Sequence, residues 1–509
     1  MSRSLYAPLH RTWGERPSAA ERRHRAQERI VQLRDRYQIE GDEGCEPYSR
    51  RGRGRQPSLI VIGAGFAGLM TAYMLSKNFR VTVLEARSRV GGRVHSLIDR
   101  GSKRVVEAGG ELVGYNHPNW LMLAREFDLG LLTLTSDDAM ASLELEMPME
   151  IGGTVLEPRQ VKTIFDEMTS AFLALSHQAL RDVPDPHKPW TAKDALALDR
   201  KPLSEWIDGL SCSELTKKAI NIQFENTNAT PTDKQSFLGN LALVAGGPLK
   251  GQPDAFFNAS ETARCEKGNQ ALAKALCREF AEAGGTIHLS RPVKTIAVTP
   301  HGVRVSVGRS PPITADYAVL ATPPSTWPAI EPALPPAYHV SMGDAVKYLS
   351  DVKSRFWLRK DMSANSSAGT YGNTWDGTDN QTQVDGQDIA FSVFAGGESA
   401  HRALHIYERK GNAALHAHYG KAIGKVYRDY AKQLRRAKFV AWPLEKWTRT
   451  GYSSFAPGEV CRAGPLLTAP YRERLYFAGE HTCPAFYGYM EGALQSGLAA
   501  AKALCDKVY

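Results

Sequence analysis

Hydrophobic positions in this chain follow two rhythms. Leu59-Ile60-Val61-Ile62 is a short unbroken apolar run rich in β-branched residues, which predicts a strand buried on both faces, and Val81-Thr82-Val83-Leu84 repeats it. Residues 66–76 between them predict a helix. Further apolar runs predict strands at 105–107, 286–289, 293–298, 303–307, 315–321, 389–394 and 474–477. Helical periodicity marks 120–127, 161–180, 213–224, 271–283, 412–433 and 488–503. Near the start, Ser18-Ala19-Ala20-Glu21 fits a capping box, in which serine and glutamate each satisfy a free N–H at a helix end. The helix that follows, 19–37, lines up Ala26, Ile30, Leu33 and Tyr37 as a stripe expected to dock on the body. Residues 40–57 are rich in Gly, Arg and Glu and read as a linker.

Strand and helix alternate from residue 58, give way to mostly helical sequence over about 117–252, return at Glu266-Lys267-Gly268-Asn269-Gln270, and are interrupted again over about 325–439. A chain of 509 residues is also too long for one core, which implies two or three domains.

The first strand runs into Gly63-Ala64-Gly65-Phe66-Ala67-Gly68, a spacing that lets the backbone turn sharply and approach a pyrophosphate at a helix N-terminus. The second ends at Glu85-Ala86-Arg87, where a carboxylate accepts hydrogen bonds from ribose hydroxyls. A further turn, Gly91-Gly92-Arg93, is unusual in nicotinamide-binding units and offers N–H groups and a guanidinium to a longer cofactor, so FAD is preferred over NAD. The strand at 105–107 likewise runs into Gly109-Gly110-Glu111-Leu112, where chain can pass close to a flat ring.

Composition narrows the class. No apolar run approaches the roughly 20 residues of a membrane span, and the arginine-bearing N-terminus lacks a signal-peptide core, so a cytoplasmic protein is expected. The seven cysteines are scattered with no C-x-x-C pair, which points to a reducing compartment and no metal site. Much of the net charge of +9 lies in the first 55 residues, with thirteen arginines and no lysine, but the few aromatic residues there, Tyr6, Trp13, Tyr37 and Tyr48, make no alternating pattern with them for stacking on bases, so no nucleic-acid partner is expected.

Gly63-x-Gly65-x-x-Gly68, Glu85, Gly91-Gly92-Arg93, Gly109-Gly110, Lys347 ahead of Phe356-Trp357, Gly451-Tyr452-Ser453, Phe477-Ala478-Gly479-Glu480 and Gly488-Tyr489-Met490-Glu491-Gly492-Ala493 occur in one order. Together they resemble the flavin-containing amine oxidase family, from about Ser58 to the C-terminus. The resemblance implies an α/β chain, α+β overall, with a discontinuous Rossmann-like FAD-binding domain (58–116, 254–324 and 440–509), an inserted substrate domain of mixed sheet plus helices (117–253 and 325–439), and an N-terminal extension (1–57). It also implies that Glu85 holds the adenosine ribose, Arg93 and Glu480 lie along the pyrophosphate and ribityl chain, Val293 meets the adenine, and the helix start at Met490, between Gly488 and Ala493, faces the flavin pyrimidine. Some relatives tether the flavin through a cysteine where this chain has Gly451, so noncovalent FAD is expected.

The implied reaction removes hydride from the carbon beside an amine nitrogen, with O2 as acceptor and hydrogen peroxide as product. Three residues are assigned to it. Tyr452 and Tyr489 are expected to flank the substrate nitrogen, and Lys347 to hold a water against the flavin and assist reoxidation. Amino-acid oxidases of the family usually carry an arginine clamp just after the Gly-Gly turn, and here that stretch reads Gly109-Gly110-Glu111-Leu112-Val113-Gly114-Tyr115. Glu111 either faces the cavity, repelling a carboxylate, or pairs with an arginine and faces away. Arg449 is the alternative clamp. The favoured substrate is a primary amine or diamine without an α-carboxylate; an L-amino acid oxidase or 2-monooxygenase is the alternative, ahead of a flavin desaturase or a demethylase-like binding module. A homodimer is left open.

Overall fold

The computed structural model describes residues 5–14, 18–39, 45–49, 55–99, 103–134, 145–308, 310–381 and 389–509. Five parallel strands form the central sheet in the order Leu475–Phe477, Tyr317–Leu320, Ser58–Ile62, Arg80–Leu84, Thr286–His288. Ser58–Ile62 sits in the middle because its apolar run has neighbours on both edges, and Leu59, Ile60, Val61 and Ile62 are all buried. Strand order reverses beside it, so a crevice opens at the carboxyl ends of the strands, the usual place for a ligand in such sheets.

The helix Phe66–Leu75 is buried on every side, consistent with its apolar sequence. It is covered by the helices Gln270–Glu282 and Met490–Val508. Gly68 lets the helix lie close against the sheet: a Cβ there would stand 2.0 Å from the carbonyl oxygen of Gly63 and 3.1 Å from Val61 Cγ1.

The strand expected over 315–321 is divided in the structure. Ile313–Ala315 belongs to a three-stranded antiparallel meander with Gly302–Val307 and Val293–Thr299, whereas Tyr317–Leu320 joins the parallel sheet. Asp316 makes the break, its carboxylate accepting from the Ser58 N–H and hydroxyl at 2.7 and 2.6 Å.

A second, seven-stranded mixed sheet runs Leu434–Ala441, Ala345–Val352, Ile389–Gly396, Gly372–Asp376, Ser366–Ala368, Met149–Ile151, Thr154–Val155. Its edge strand Leu434–Ala441 carries the chain back toward the parallel sheet. The span Gly397–Val426 is two helices divided at a non-helical Gly411 (φ 79°), so the helix expected at 412–433 does start after Gly411 but stops at Val426, with a separate turn at Tyr430–Gln433. Gly411 takes a positive φ that glycine adopts readily, which ends one helix and lets the next begin.

At the N-terminus the capping box forms, with Glu21 N–H donating to Ser18 Oγ at 3.2 Å and Ser18 N–H to Glu21 Oε2 at 2.7 Å. Ala26, Ile30, Leu33 and Tyr37 are buried against the helices Pro118–Glu126 and Met490–Val508. An unexpected helix, Tyr6–Trp13, precedes it. Its Leu5, Tyr6 and Leu9 side chains are buried, and the Tyr6 ring packs against Phe165 and Phe172. Within the 40–57 linker reading, residues 40–44 and 50–54 lie outside the described residues, while Cys45 and Tyr48 pack on the body and the Tyr48 N–H donates to Met74 O at 3.0 Å.

Candidate active site

A cavity opens at the carboxyl ends of Ser58–Ile62 and Arg80–Leu84 and extends to Lys347, Tyr452 and Tyr489. Most residues singled out from sequence line it: Gly63, Gly65, Phe66, Ala67, Glu85, Ala86, Arg87, Gly91, Gly92, Arg93, Gly109, Gly110, Val293, Gly479, Glu480, Gly488, Met490 and Ala493, with Lys347 and both tyrosines. Nothing lies within 4 Å of where a Gly65 Cβ would stand, at the mouth of the helix Phe66–Leu75. The residues therefore fit a dinucleotide, because a phosphate can approach that helix end where any side chain would project.

Glu85 is buried at the end of its strand, and its two oxygens accept from the N–H groups of Ala64 and Arg87, each at 2.7 Å. Those bonds fix the carboxylate at the cavity wall with lone pairs left for hydroxyl donors. Arg87 reaches outward to Glu445 at 2.7 Å and to the Thr448 hydroxyl at 2.6 Å. Arg449 follows in the same segment and is exposed, so it stands with this outer group of cations.

Arg93 and Glu480 form a 2.6 Å ion pair, and Arg93 also donates to Gly451 O at 3.1 Å. Glu480 accepts further from Ser453, through both its N–H and its hydroxyl, and from the Gly488 N–H at 2.7 Å. Burial alone would raise this carboxyl; the Arg93 guanidinium and the N–H donors outweigh it and hold Glu480 below the usual carboxylate range. One acid thus ties the Gly-Gly-Arg turn to the segments carrying Tyr452 and Tyr489.

Lys347 lies on Ala345–Val352, opposite Phe394 and Val440, and is almost wholly buried. Its ammonium donates to Glu107 O at 2.8 Å, Gly109 O at 3.1 Å and Glu111 Oε2 at 2.8 Å, which uses all three protons. Trp375 lies beside it, with Nζ 5.4 Å from the ring centroid.

Glu111 does not face the cavity. Its other oxygen accepts from Trp375 Nε1 at 2.9 Å and lies 3.4 Å from Arg264 Nη2, so the reading in which it pairs with an arginine and turns away is the one realised. Burial raises this carboxyl too, but Lys347 and Arg264 together bring it below its ordinary value. Leu112, fully buried, and Gly68, packed under the turn, also stand behind the wall. These three support the cavity and do not line it, because the Gly109-Gly110 turn shields the first two and the helix backbone the third.

Tyr452 and Tyr489 are buried, and burial drives both phenols far above their ordinary pKa. Tyr452 donates its hydroxyl to the carbonyls of Asn226 and Thr227 at 3.2 and 2.9 Å. Gly488 lies against it, a Cβ there falling 3.0 Å from Tyr452 Cδ2. Tyr489 packs edge-on with His117, Phe256 and Phe486 and is the N-cap of the helix Met490–Val508.

A family profile described as flavin containing amine oxidoreductase matches residues 66–505. The chain belongs to this family. The flavin-containing amine oxidase of Danio rerio is 25% identical over 460 residues, covering 87% of this chain and 85% of that protein. Amine oxidase B of Homo sapiens is 26% identical over 464 residues, covering 87% and 85%. An L-amino acid dehydrogenase of Synechocystis sp. is 25% identical over 463 residues, covering 87% and 94%. Among solved structures, cyclohexylamine oxidase from Brevibacterium oxydans IH-35A aligns with a TM-score of 0.74 at 21% identity, covering 89% of this chain and 100% of that one. Wild-type putrescine oxidase bound to putrescine aligns with 0.73 at 21%, covering 89% and 99%. At that identity the structural likeness is one of fold.

In this flavin-containing amine oxidoreductase the cavity also takes walls that the sequence reading passed over. Thr322 and Pro323 follow Tyr317–Leu320 at the carboxyl edge of the sheet, a position from which the topology rule would have found them. Phe394 and Ala345 come from the seven-stranded sheet, and Trp442 pins the Gly-Gly turn by donating from Nε1 to Ala108 O at 2.9 Å. No local pattern marks these three. Among the described residues, no helix is long and apolar enough to cross a membrane.

Proposed function

We propose that this family member binds FAD noncovalently and oxidises the C–N bond of a small amine lacking an α-carboxylate. The amine loses hydride from carbon and a proton from nitrogen, and water hydrolyses the imine to a carbonyl compound and ammonia. O2 takes up two electrons and two protons as hydrogen peroxide. A bound flavin supplies the two-electron acceptor. The observation that carries the reading is a single cavity whose lining runs from the nucleotide turn at Gly65 to two buried tyrosines and a buried lysine.

Glu85 would take the ribose hydroxyls, Arg93 and Glu480 the pyrophosphate and ribityl chain, and the Val293 backbone the adenine. The N-terminus of Met490–Val508 would face the pyrimidine, where a helix end favours negative charge. Residues 58–116, 254–324 and 440–509 would carry the cofactor, and 117–253 with 325–439 the substrate. Because the Tyr452 hydroxyl is spent on backbone carbonyls, its ring is its contact surface, and with Tyr489 it would orient a neutral amine. Lys347 would place positive charge and a water at the cavity wall; the water must displace one of its two carbonyl acceptors, the 3.1 Å bond to Gly109 being the longer. Seven free cysteines favour a cytoplasmic setting.

The absence of a carboxylate follows from where the cations are committed. Among the lining arginines, the guanidinium of Arg87 is on Glu445, that of Arg93 is on Glu480, and Arg449 is exposed. A peroxide-release screen across monoamines, diamines and free L-amino acids tests this: turnover of an amine, with its α-carboxylated counterpart inert, is expected. Efficient oxidation of a free L-amino acid with the decarboxylated amine inert would overturn the substrate class.

A further inference from the structure

We propose that Arg264 is a positioning residue for this reaction: by sharing the Glu111 carboxylate, it leaves the buried cluster behind the cavity wall with one uncompensated positive charge, presented through Lys347. This rests on the reading of Lys347 given above. A lysine whose ammonium is 2.8 Å from a buried carboxylate would by itself be a neutral pair, of little electrostatic use to anything in the cavity. Arg264 changes that count. It stands on Ala263–Cys265 at 4% exposure, with Glu111 at 1% and Lys347 at 2%, so solvent screens none of the three.

No second acid neutralises Arg264. Among the described residues, Glu111 is the carboxylate within ion-pair reach. Asp376 offers Arg264 only its carbonyl oxygen, at 3.1 Å, having committed its carboxylate to Arg355 at 2.7 Å and to the N–H and hydroxyl of Thr378. Nε and Nη1 of Arg264 are buried without a protein partner, so the guanidinium is held from one side by a carboxylate it must share. Glu107 turns its carboxyl to Ser96 and the Asn269 N–H, and burial lifts it to about 7, so below that pH it adds no charge. Two cations and one anion then give a net charge of +1 behind the wall, a field that favours any negative charge developing in the cavity.

The test is a charge ladder. The reduction potential of the bound cofactor and the rate of reoxidation by O2 are measured for R264Q, R264K, E111Q and Lys347→Met, with FAD affinity and the melting temperature of each apoprotein as folding controls. R264Q should lower the potential and slow reoxidation about tenfold relative to anaerobic reduction, R264K should restore both, and E111Q should raise the potential. A merely structural site would move R264Q and E111Q in the same direction, and that result, or no shift in either, overturns the proposal. If R264Q does not fold, E111Q is read against R264K: a raised potential in E111Q with R264K at the parental value supports the proposal, and an unchanged or lowered potential in E111Q overturns it. If Lys347→Met leaves reoxidation unchanged, the reading of Lys347 fails; if Lys347→Met slows it while R264Q is silent, Arg264 alone loses its role.

Discussion

Lys347 and Glu111 meet in a 2.8 Å ion pair buried under the cavity wall, and the same ammonium donates to the carbonyls of Glu107 and Gly109. Lys347→Met keeps the length of the side chain but removes all three bonds and the charge. The reoxidation rate constant should fall by about tenfold or more, equivalent to at least about 1.4 kcal/mol, while anaerobic reduction changes less. Rapid mixing of the reduced enzyme with oxygenated buffer measures it; equal losses in both half-reactions would count against the role.

Tyr452→Leu and Tyr489→Leu each remove a ring face from the cavity. A loss on the order of 1 kcal/mol, or about fivefold in kcat/KM, is expected for each with FAD retained. The double variant tests whether the rings act together. If kcat/KM stays at the parental value in both single variants, the tyrosines are packing residues.

FAD should be released by acid, leaving its colour in the supernatant. A Cβ at Gly451 would lie 2.6 Å from Ala345 Cβ and 2.8 Å from its nitrogen, so the backbone has no room there even for the start of a thioether side chain. Gly451→Cys is accordingly expected to lose FAD affinity and melt at lower temperature without forming a covalent link. Yellow colour retained in the washed parental pellet would show attachment elsewhere.

Burial raises the Glu107 carboxyl from its ordinary value of 4.5 to about 7, against the pull of the Asn269 N–H. Between those values the folded chain keeps a proton that the unfolded chain has lost. The stabilising contribution is present below pH 4.5 and is lost as pH climbs through about 7. Glu107→Gln has no such proton, so its stability relative to the parent should rise by roughly 3 kcal/mol across that window. Urea melts of both proteins at the two ends of the window measure it, and parallel stabilities at both would refute a raised carboxyl.

How far the sequence could be read depended on the range of each physical requirement. The turn at Gly63, the acid at Glu85 and the run after Phe477 answer to local demands of a strand end facing a ligand, and their placement follows from a few neighbouring residues. The direction of Glu111 does not: it is settled by Arg264 and Trp375, brought to it from separate strands. Phe237–Gly246, apolar on all sides, has no amphipathic period to read, and Tyr6–Trp13 is too short and carries Pro8. Local chemistry was therefore legible where long-range pairing was not.

The parallel sheet takes its strands from Ser58 through Phe477, with Leu475–Phe477 closing one edge. This strand and the helix Met490–Val508 follow every other strand of the sheet in sequence, although Glu480, Tyr489 and Met490 belong to the cavity wall. Strand pairing of such separation is slow, and until the last segment docks the apolar helix Phe66–Leu75 has one cover missing. The cavity wall is consequently complete only once segments far apart in the chain have docked.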